Sequence, residues 1–353
     1  MEQITQFRRI LQPHLAWHGA RLAFVALFLI ALFRVKTVNL AELATAFCGN
    51  AHIDSHYKRL QRFFAEFELD YSVIAHTVVR LMRIPEPWVL SLDRTEWQFA
   101  GCVFNILTLG IVHEGIAFPI IYLMLDKRGN SNTDERIDLM QEFYTLFPER
   151  QLAFLATDRE FIGQDWFSYL LQRPKTPIRA RIRESDQLSD GQKTLRASVL
   201  FADLRPGEVK ILPKRRRLWG HWVYVAATRL EDNSLLIVIT EHAPETAISD
   251  YAKRWGIETL FGAFKTRGFC LESSHFIDQY RLRKLVALLS LALCWAFLTG
   301  LWLHQNKPLK LKPHGRREKS LFRYGFDHIR NIVLNLDQKM AEFLDLLQFL
   351  SCT

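Results

Sequence analysis

Hydrophobic positions change their period along the chain, and the changes mark its elements. Residues 1–83 read as helical. A helix start stands near residue 39, with Asn39 as N-cap and Glu42 three residues on. In the next helical stretch Lys58, Arg59 and Arg62 fall on one face, and Leu60, Phe63, Phe64 and Phe67 on the other. Pro85 and Pro87 mark a boundary. Beyond them, 88–93 is a short apolar strand that ends on a carboxylate, Asp93. The runs 103–109 and 116–125 predict two more strands, with turns near Gly101 and Gly115. Residues 131–147 predict a helix with Ile137, Met140, Tyr144 and Phe147 inward. A further apolar strand, 151–157, leads into Asp158. Residues 163–172 read as helix, and 178–182 alternate like an edge strand.

From 183 to 245 turn signals at 189–191, 205–207 and 232–234 separate β-prone runs at 199–204, 222–227 and 235–240. This predicts an antiparallel insertion. Helical spacing returns over 246–267 and 271–303. A last helix, 333–350, carries Ile332, Leu334, Leu336, Met340, Phe343 and Leu346 near its apolar side. The predicted organisation is a helical domain (1–84), an α/β core in two parts (85–182 and 246–303), the insertion (183–245), and a basic C-terminal segment with a helix (304–353).

The run 285–303 has 19 residues without a formal charge, long enough to span a bilayer. A helix buried on all sides gives the same pattern. The buried reading is favoured, because the other apolar run, 22–33, is too short to span and nothing else resembles a membrane protein. Glu2, Arg8, Arg9 and Pro13 precede any apolar run, so no signal peptide is expected.

Length and composition narrow the class. A chain of 353 residues is enough for about two or three domains. Hydrophobic residues at 49% and charged residues at 24% exclude global disorder, and 16 Gly with 12 Pro exclude a collagen-like chain. The five cysteines, at 48, 102, 270, 294 and 352, form no C-x-x-C pair. They read as reduced thiols of a cytosolic protein rather than a disulfide framework or zinc ribbon. The net charge of +9 favours a polyanionic partner, nucleic acid first, although a merely soluble basic protein has the same balance.

Two strands that each end on an Asp place carboxylates at the carboxyl edge of a sheet, where ligands bind in open α/β folds. If the strands are neighbours, the two charges repel and call for a cation such as Mg²⁺. Asp at a strand end is also common turn chemistry. On the helix at 246–267, Tyr251, Arg254, Glu258 and Lys265 fall within roughly 60° of one another, while Trp255, Leu260 and Phe264 point elsewhere as anchors. Three carboxylates can hold two divalent ions about 3.5–4 Å apart. The cations and the phenol suit phosphates. The plain alternative is an i, i+4 Arg–Glu pair on a solvated face. The basic face of Lys58, Arg59 and Arg62 suits a helix-turn-helix-like DNA reader, or only a solvated helix. Seven Lys/Arg against one Glu over 304–323, Arg316 and Arg317 among them, suit backbone contact to DNA, or a solvated tail.

Four motifs carry a resemblance. They are Ser91-Leu-Asp93-Arg-Thr-Glu-Trp97, Leu125-Asp-Lys-Arg-Gly-Asn-Ser-Asn-Thr133, Thr157-Asp158-Arg-Glu-Phe-Ile-Gly163 and Tyr251-x-x-Arg254-Trp-x-Ile-Glu258-x-x-Phe-x-x-x-Lys265-x-x-Gly-Phe269. In this order they resemble the IS4 family of DDE transposases, over about residues 35–330. The last is similar to that family's Y-R-E-K signature. The resemblance implies an RNase H-like core, a mixed five-stranded sheet flanked by helices in an α/β (α+β) fold. It implies a β-rich insertion before the catalytic Glu and an N-terminal helical DNA-binding domain. It also implies that Asp93, Asp158 and Glu258 are catalytic and bind two Mg²⁺ (or Mn²⁺). Tyr251, Arg254 and Lys265 would contact DNA.

The implied activity is cleavage at the ends of an insertion sequence and strand transfer into target DNA. The partners would be double-stranded DNA, both terminal inverted repeats and target, and a second copy of the chain at paired ends. The expected location is the bacterial cytoplasm, at the nucleoid. Parts of the family place a base-stacking Trp on the insertion strand before the catalytic helix. Here that strand, 235–240, has no aromatic. Trp219, Trp222 or Tyr224 are the alternatives, beside Lys214, Arg215, Arg216 and Arg217. A buried strand has the same composition. An RNase H-fold nuclease and a catalytically silent transposase-derived DNA-binding protein are the rival readings.

Overall fold

The computed structural model describes residues 2–172, 175–313 and 315–351. His314 of the basic segment and Cys352 lie outside the described residues.

Five helices open the chain: α1 (Glu2–Leu11), α2 (Gly19–Val35), α3 (Leu40–Ala46), α4 (Ile53–Glu66) and α5 (Tyr71–Met82). Asn39 caps α3 as expected, its side chain accepting from the backbone N–H groups of Ala41 and Glu42. Three long strands follow: β1 (Trp88–Phe99), β2 (Cys102–His113) and β3 (Ile116–Leu125). Then come α6 (Thr133–Leu146), β4 (Leu152–Thr157), α7 (Gln164–Gln172) and β5 (Ile178–Ile182). β1, β2 and β3 are antiparallel neighbours; β1 pairs with β4, and β4 with β5, in parallel. The order β3-β2-β1-β4-β5, with helices at the crossovers, is the RNase H-like arrangement.

The insertion contributes β6 (Gln187–Ser189), β7 (Thr194–Arg196), α8 (Ala197–Leu200), β8 (Val209–Ile211), β9 (Arg216–Leu218), β10 (His221–Arg229) and β11 (Leu235–Thr240). It does not stand apart from the core. β11 pairs antiparallel with β5, so among the described residues one sheet of 11 strands runs from β3 to β7, with β8 beside β10 off that path. The edge position expected for 178–182 is thereby corrected: β5 is interior, with Ile178, Ala180 and Ile182 buried. The strand expected over 199–204 is also corrected, since α8 and a turn occupy that stretch. β-prone composition alone does not form a strand where no neighbour offers a ladder.

The helix expected over 246–267 is three pieces: α9 (Ala247–Tyr251), a 3₁₀ turn (Ala252–Arg254) and α10 (Trp255–Phe264). A second 3₁₀ turn (Leu271–Ser274) precedes α11 (Gln279–Asn306). α12 (Leu321–Leu334) and α13 (Met340–Leu347) end the fold, so the last predicted helix is interrupted and Leu334 is exposed rather than inward.

α11 is long and apolar enough to cross a membrane, but most of its apolar stretch is buried inside the protein. It is the central post. Phe7 of α1 packs edge-on to Trp295 of α11 at 5.1 Å, and Phe33 of α2 meets both Trp295 and Phe326 of α12 at 5.2 Å. The N-terminal and C-terminal helices thus share one continuous core with the sheet. Lys284, buried in α11, donates to the carbonyls of Phe64 and Ala65 and so caps the last turn of α4. Lys284→Met is expected to cost about 1.5–3 kcal/mol, the range for a hydrogen bond to a charged group, because those carbonyls lose their donor. Denaturant unfolding measures it; unchanged stability would mean that this lysine does not hold α4 in place.

Candidate active site

Strand register builds the site. The last parallel pair between β1 and β4 is Leu92↔Thr157. Asp93 and Asp158 are each the next residue, so neighbouring strands deliver the two carboxylates side by side. The strand expected to end at Asp93 does not stop there. It continues to Phe99, paired only with β2, because β2 supplies a full antiparallel ladder where β4 ends.

α9, the 3₁₀ turn and α10 lie across this edge. Gly256 makes the approach possible, since a Cβ there would stand 2.8 Å from Val112 Cγ1 and 3.2 Å from the Ile116 carbonyl carbon. Asp250 anchors α9 by an ion pair of 3.1 Å to the buried Arg179 of β5. Tyr251 donates to Asp158 Oδ1 at 3.3 Å. Arg254 lies between two carboxylates. One guanidinium nitrogen is 2.9 Å from Asp93 Oδ2, and another donates to Glu258 Oε1. Its side chain is only 6% exposed. Arg181 stands 3.7 Å from Asp158.

Burial pushes the carboxyl of Asp93 up to about 6, against the pull of the Arg254 guanidinium and the Arg94 backbone N–H. Glu160 and Asp158 add to the rise. Burial likewise raises the Tyr251 phenol, which stays protonated as a donor.

Lys265 stands one residue beyond α10, with a non-helical backbone, because the helix ends at Phe264. It pairs with Glu272 at 2.9 Å and approaches the Glu96 carbonyl at 3.5 Å, over the ring of Trp97. Glu96 is three residues from Asp93, about 10 Å along β1. Trp255, expected as an anchor, is 62% exposed.

Residues that sequence reasoning misses support the carboxylates. Arg94 pairs with Glu96 at 3.0 Å and with Glu160 at 3.1 Å, and donates to Asn130. Arg136, buried in α6, donates to the Ser131 hydroxyl and carbonyl and to the carbonyls of Glu160 and Ile162. Together they tie the loop after Asp158 to the segment after β3. A signal for them exists: Arg94, Glu96 and Glu160 stand inside the first and second Asp motifs.

The other predicted contacts lie elsewhere. Lys58 and Arg62 are exposed on α4, while Arg59 lies over the Phe24 ring at 5.7 Å. In the insertion, Trp222 is 48% exposed and pairs in register with Arg217. Trp219 stacks on Phe167 at 5.0 Å, and Tyr224 lies under Arg215. Arg216 is part of β9. Arg316 is exposed, and Arg317 binds Glu114 of the β2–β3 turn at 3.1 Å.

Among the described residues no three His, Cys, Asp or Glu side chains stand close enough together to share one ion. The donor chemistry of Asp93, Asp158 and Glu258 nonetheless suits Mg²⁺ or Mn²⁺, being oxygen-only and anchored within β1, at the end of β4 and on α10. Asp93 and Glu258 already share one cation, the guanidinium of Arg254.

A search of the curated proteins finds no match. Among solved structures the chain is similar to the piggyBac transposase in its synaptic complex with hairpin DNA, with a TM-score of 0.46 and 11% identity, over 99% of this chain and 83% of that one. Residues 120–295 match the family model described as Transposase DDE domain. The matched stretch begins after Asp93 and contains Asp158, Tyr251, Arg254, Glu258 and Lys265. Over that stretch the chain is similar to the DDE domain of transposases.

Proposed function

We propose that the protein is an insertion-sequence transposase that cuts DNA at the ends of its element and joins the freed 3′-hydroxyl to target DNA. The observation that best supports this reading is that strand register sets Asp93 beside Asp158 while Arg254 ties Asp93 to Glu258. In this reading the three carboxylates hold two Mg²⁺ or Mn²⁺ ions. Such ions activate the attacking oxygen and stabilise the leaving oxygen of an in-line displacement.

The chain's own residues position the carboxylates and the DNA. Arg94 and Arg136 fix the loop that carries Asp158. Lys265, about 10 Å along β1, takes a neighbouring phosphate. Exposed Trp222, with Arg215, Arg216 and Arg217, offers a stacking surface for an extruded base. Lys58 and Arg62 of α4, with Arg316 and Arg317, contact the DNA backbone. A second copy assembles at paired ends, and the protein works at the nucleoid.

The test is a plasmid that carries the DNA flanking the gene on both sides. Metal-dependent excision and joining are expected. Cleavage without joining would make it a nuclease, and binding without cleavage a silent DNA-binding protein. A related expectation concerns α4. Replacing Lys58, Arg59 and Arg62 with Ala lowers the slope of log affinity against log salt by about 0.9 for each phosphate no longer neutralised. Arg59, laid on Phe24, contributes less to that slope than Lys58 and Arg62. A slope equal to the wild type's would remove this face from the interface.

A further inference from the structure

We propose that Arg254 is a placeholder counter-ion, which bridges Asp93 and Glu258 until a DNA phosphate draws it away and leaves both carboxylates to a divalent cation. This rests on the reading of Asp93 and Glu258 as metal-binding groups.

The geometry is that of a bridge. The two terminal nitrogens of one guanidinium serve two different carboxylates, Asp93 on β1 and Glu258 on α10. Arg254 is at the end of the 3₁₀ turn and Glu258 in the first turn of α10, so the bridge fixes the helix start against the strand. The third nitrogen, Nε, is buried with no hydrogen-bond partner among the described residues. A buried donor left unpaired carries a cost that a better acceptor would remove. A phosphodiester is such an acceptor, because its oxygens match the guanidinium fork and can engage Nε together with a terminal nitrogen.

Asp158 is held independently, by the Tyr251 hydroxyl and by Arg181. Asp158 thus has side-chain partners of its own, whereas Asp93 and Glu258 share the guanidinium of Arg254. A guanidinium and a metal ion cannot both lie between the same two carboxylates. Metal loading and DNA binding are then coupled: a phosphate that engages Arg254 favours the metal, and the metal favours release of Arg254 to the phosphate. Free protein would be poorly loaded, and loading would follow arrival of a DNA end.

The experiment reads Mn²⁺ affinity directly, from the electron paramagnetic resonance signal of free Mn²⁺. The full chain is titrated alone and with a saturating duplex of the gene's flanking DNA, after subtraction of the duplex's own uptake. The wild type is expected to bind Mn²⁺ more tightly with duplex, within the roughly 5–150-fold usual for coupled sites. Arg254→Gln should bind Mn²⁺ tightly without duplex and gain little from it. Arg254→Lys, a point charge without the fork, should fall between.

Equal or weaker Mn²⁺ binding by Arg254→Gln, or a wild-type affinity indifferent to duplex, would overturn the placeholder role. The wild-type arm needs no variant, so it decides even if Arg254→Gln fails to fold. Asp93→Ala and Glu258→Ala separate the two readings. Loss of Mn²⁺ binding in both, with Arg254→Gln unchanged, removes only the placeholder. Undiminished Mn²⁺ binding in both removes the metal-site reading itself.

Discussion

Alanine at Asp93, Asp158 or Glu258 is expected to abolish metal-dependent DNA cleavage while leaving duplex binding nearly intact. Loss of an outer-shell partner of a metal ligand already costs 10–100-fold, so removing a ligand should cost at least on the order of 10²-fold. Binding survives because the basic faces of α4 and of 304–323 lie on other elements. Cleavage by any one of the three variants would remove that residue from the site.

Asp93→Asn adds a second, independent readout. Its wild-type carboxyl is pushed up to about 6 by burial, above its ordinary value near 3.8. A carboxyl raised in the folded state binds more protons there than in the unfolded chain, so its ionisation lowers stability as pH rises from about 4 to about 6. The neutral amide escapes that cost. The melting temperature of Asp93→Asn should therefore gain on the wild type across this window and hold its lead above it. A lead that shrinks with pH would mean that the Arg254 pair, not burial, governs the group.

The sequence made much of this site legible, and the reason is local. Asp93 and Asp158 each follow a run of apolar strand residues, and period and charge identify such positions without knowledge of the fold. What the sequence did not contain was the partner of each strand. β5 looks like an edge because Arg179 and Arg181 interrupt its apolar residues, yet Arg179 is buried against Asp250 and Arg181 faces Asp158. Both arginines are polar for reasons that lie in other elements. The 3₁₀ turn at 252–254 was invisible for a similar cause. Its residues, Ala252, Lys253 and Arg254, have ordinary helical propensity. The bridge from Arg254 to Asp93 crosses 161 positions of sequence, which no periodicity reports. Lys265 shows another limit, since α10 ends at Phe264 and the cap and Glu272, rather than helical spacing, set where its ammonium lies.

Gly325→Ala is expected to be among the most destabilising single changes outside the site. α11 and α12 cross with their backbones in contact. A Cβ on Gly325 would fall on the carbonyl oxygen of Ala296 and crowd the backbone nitrogen of Gly300 at 2.5 Å. A Cβ on Gly300 would fall on the carbonyl oxygen of Leu321. Backbone atoms of two packed helices cannot swing aside as a long side chain can, so the helices must separate. Overpacking of this kind costs about 1–3 kcal/mol or more, and the crossing points to the upper end. Separation also pulls Phe322 and Phe326 away from Phe269, which lies four residues past Lys265, and Phe326 away from Phe33 of α2. Gly19→Ala is the control. Its Cβ would meet only the flexible end of Arg8, at 3.4 Å, and Ala favours the first turn of α2 by up to about 1 kcal/mol. Denaturant unfolding should place Gly325→Ala about 3 kcal/mol or more below the wild type and Gly19→Ala level with it or above. Equal stability for the two variants would mean that α12 can shift on α11 without loss.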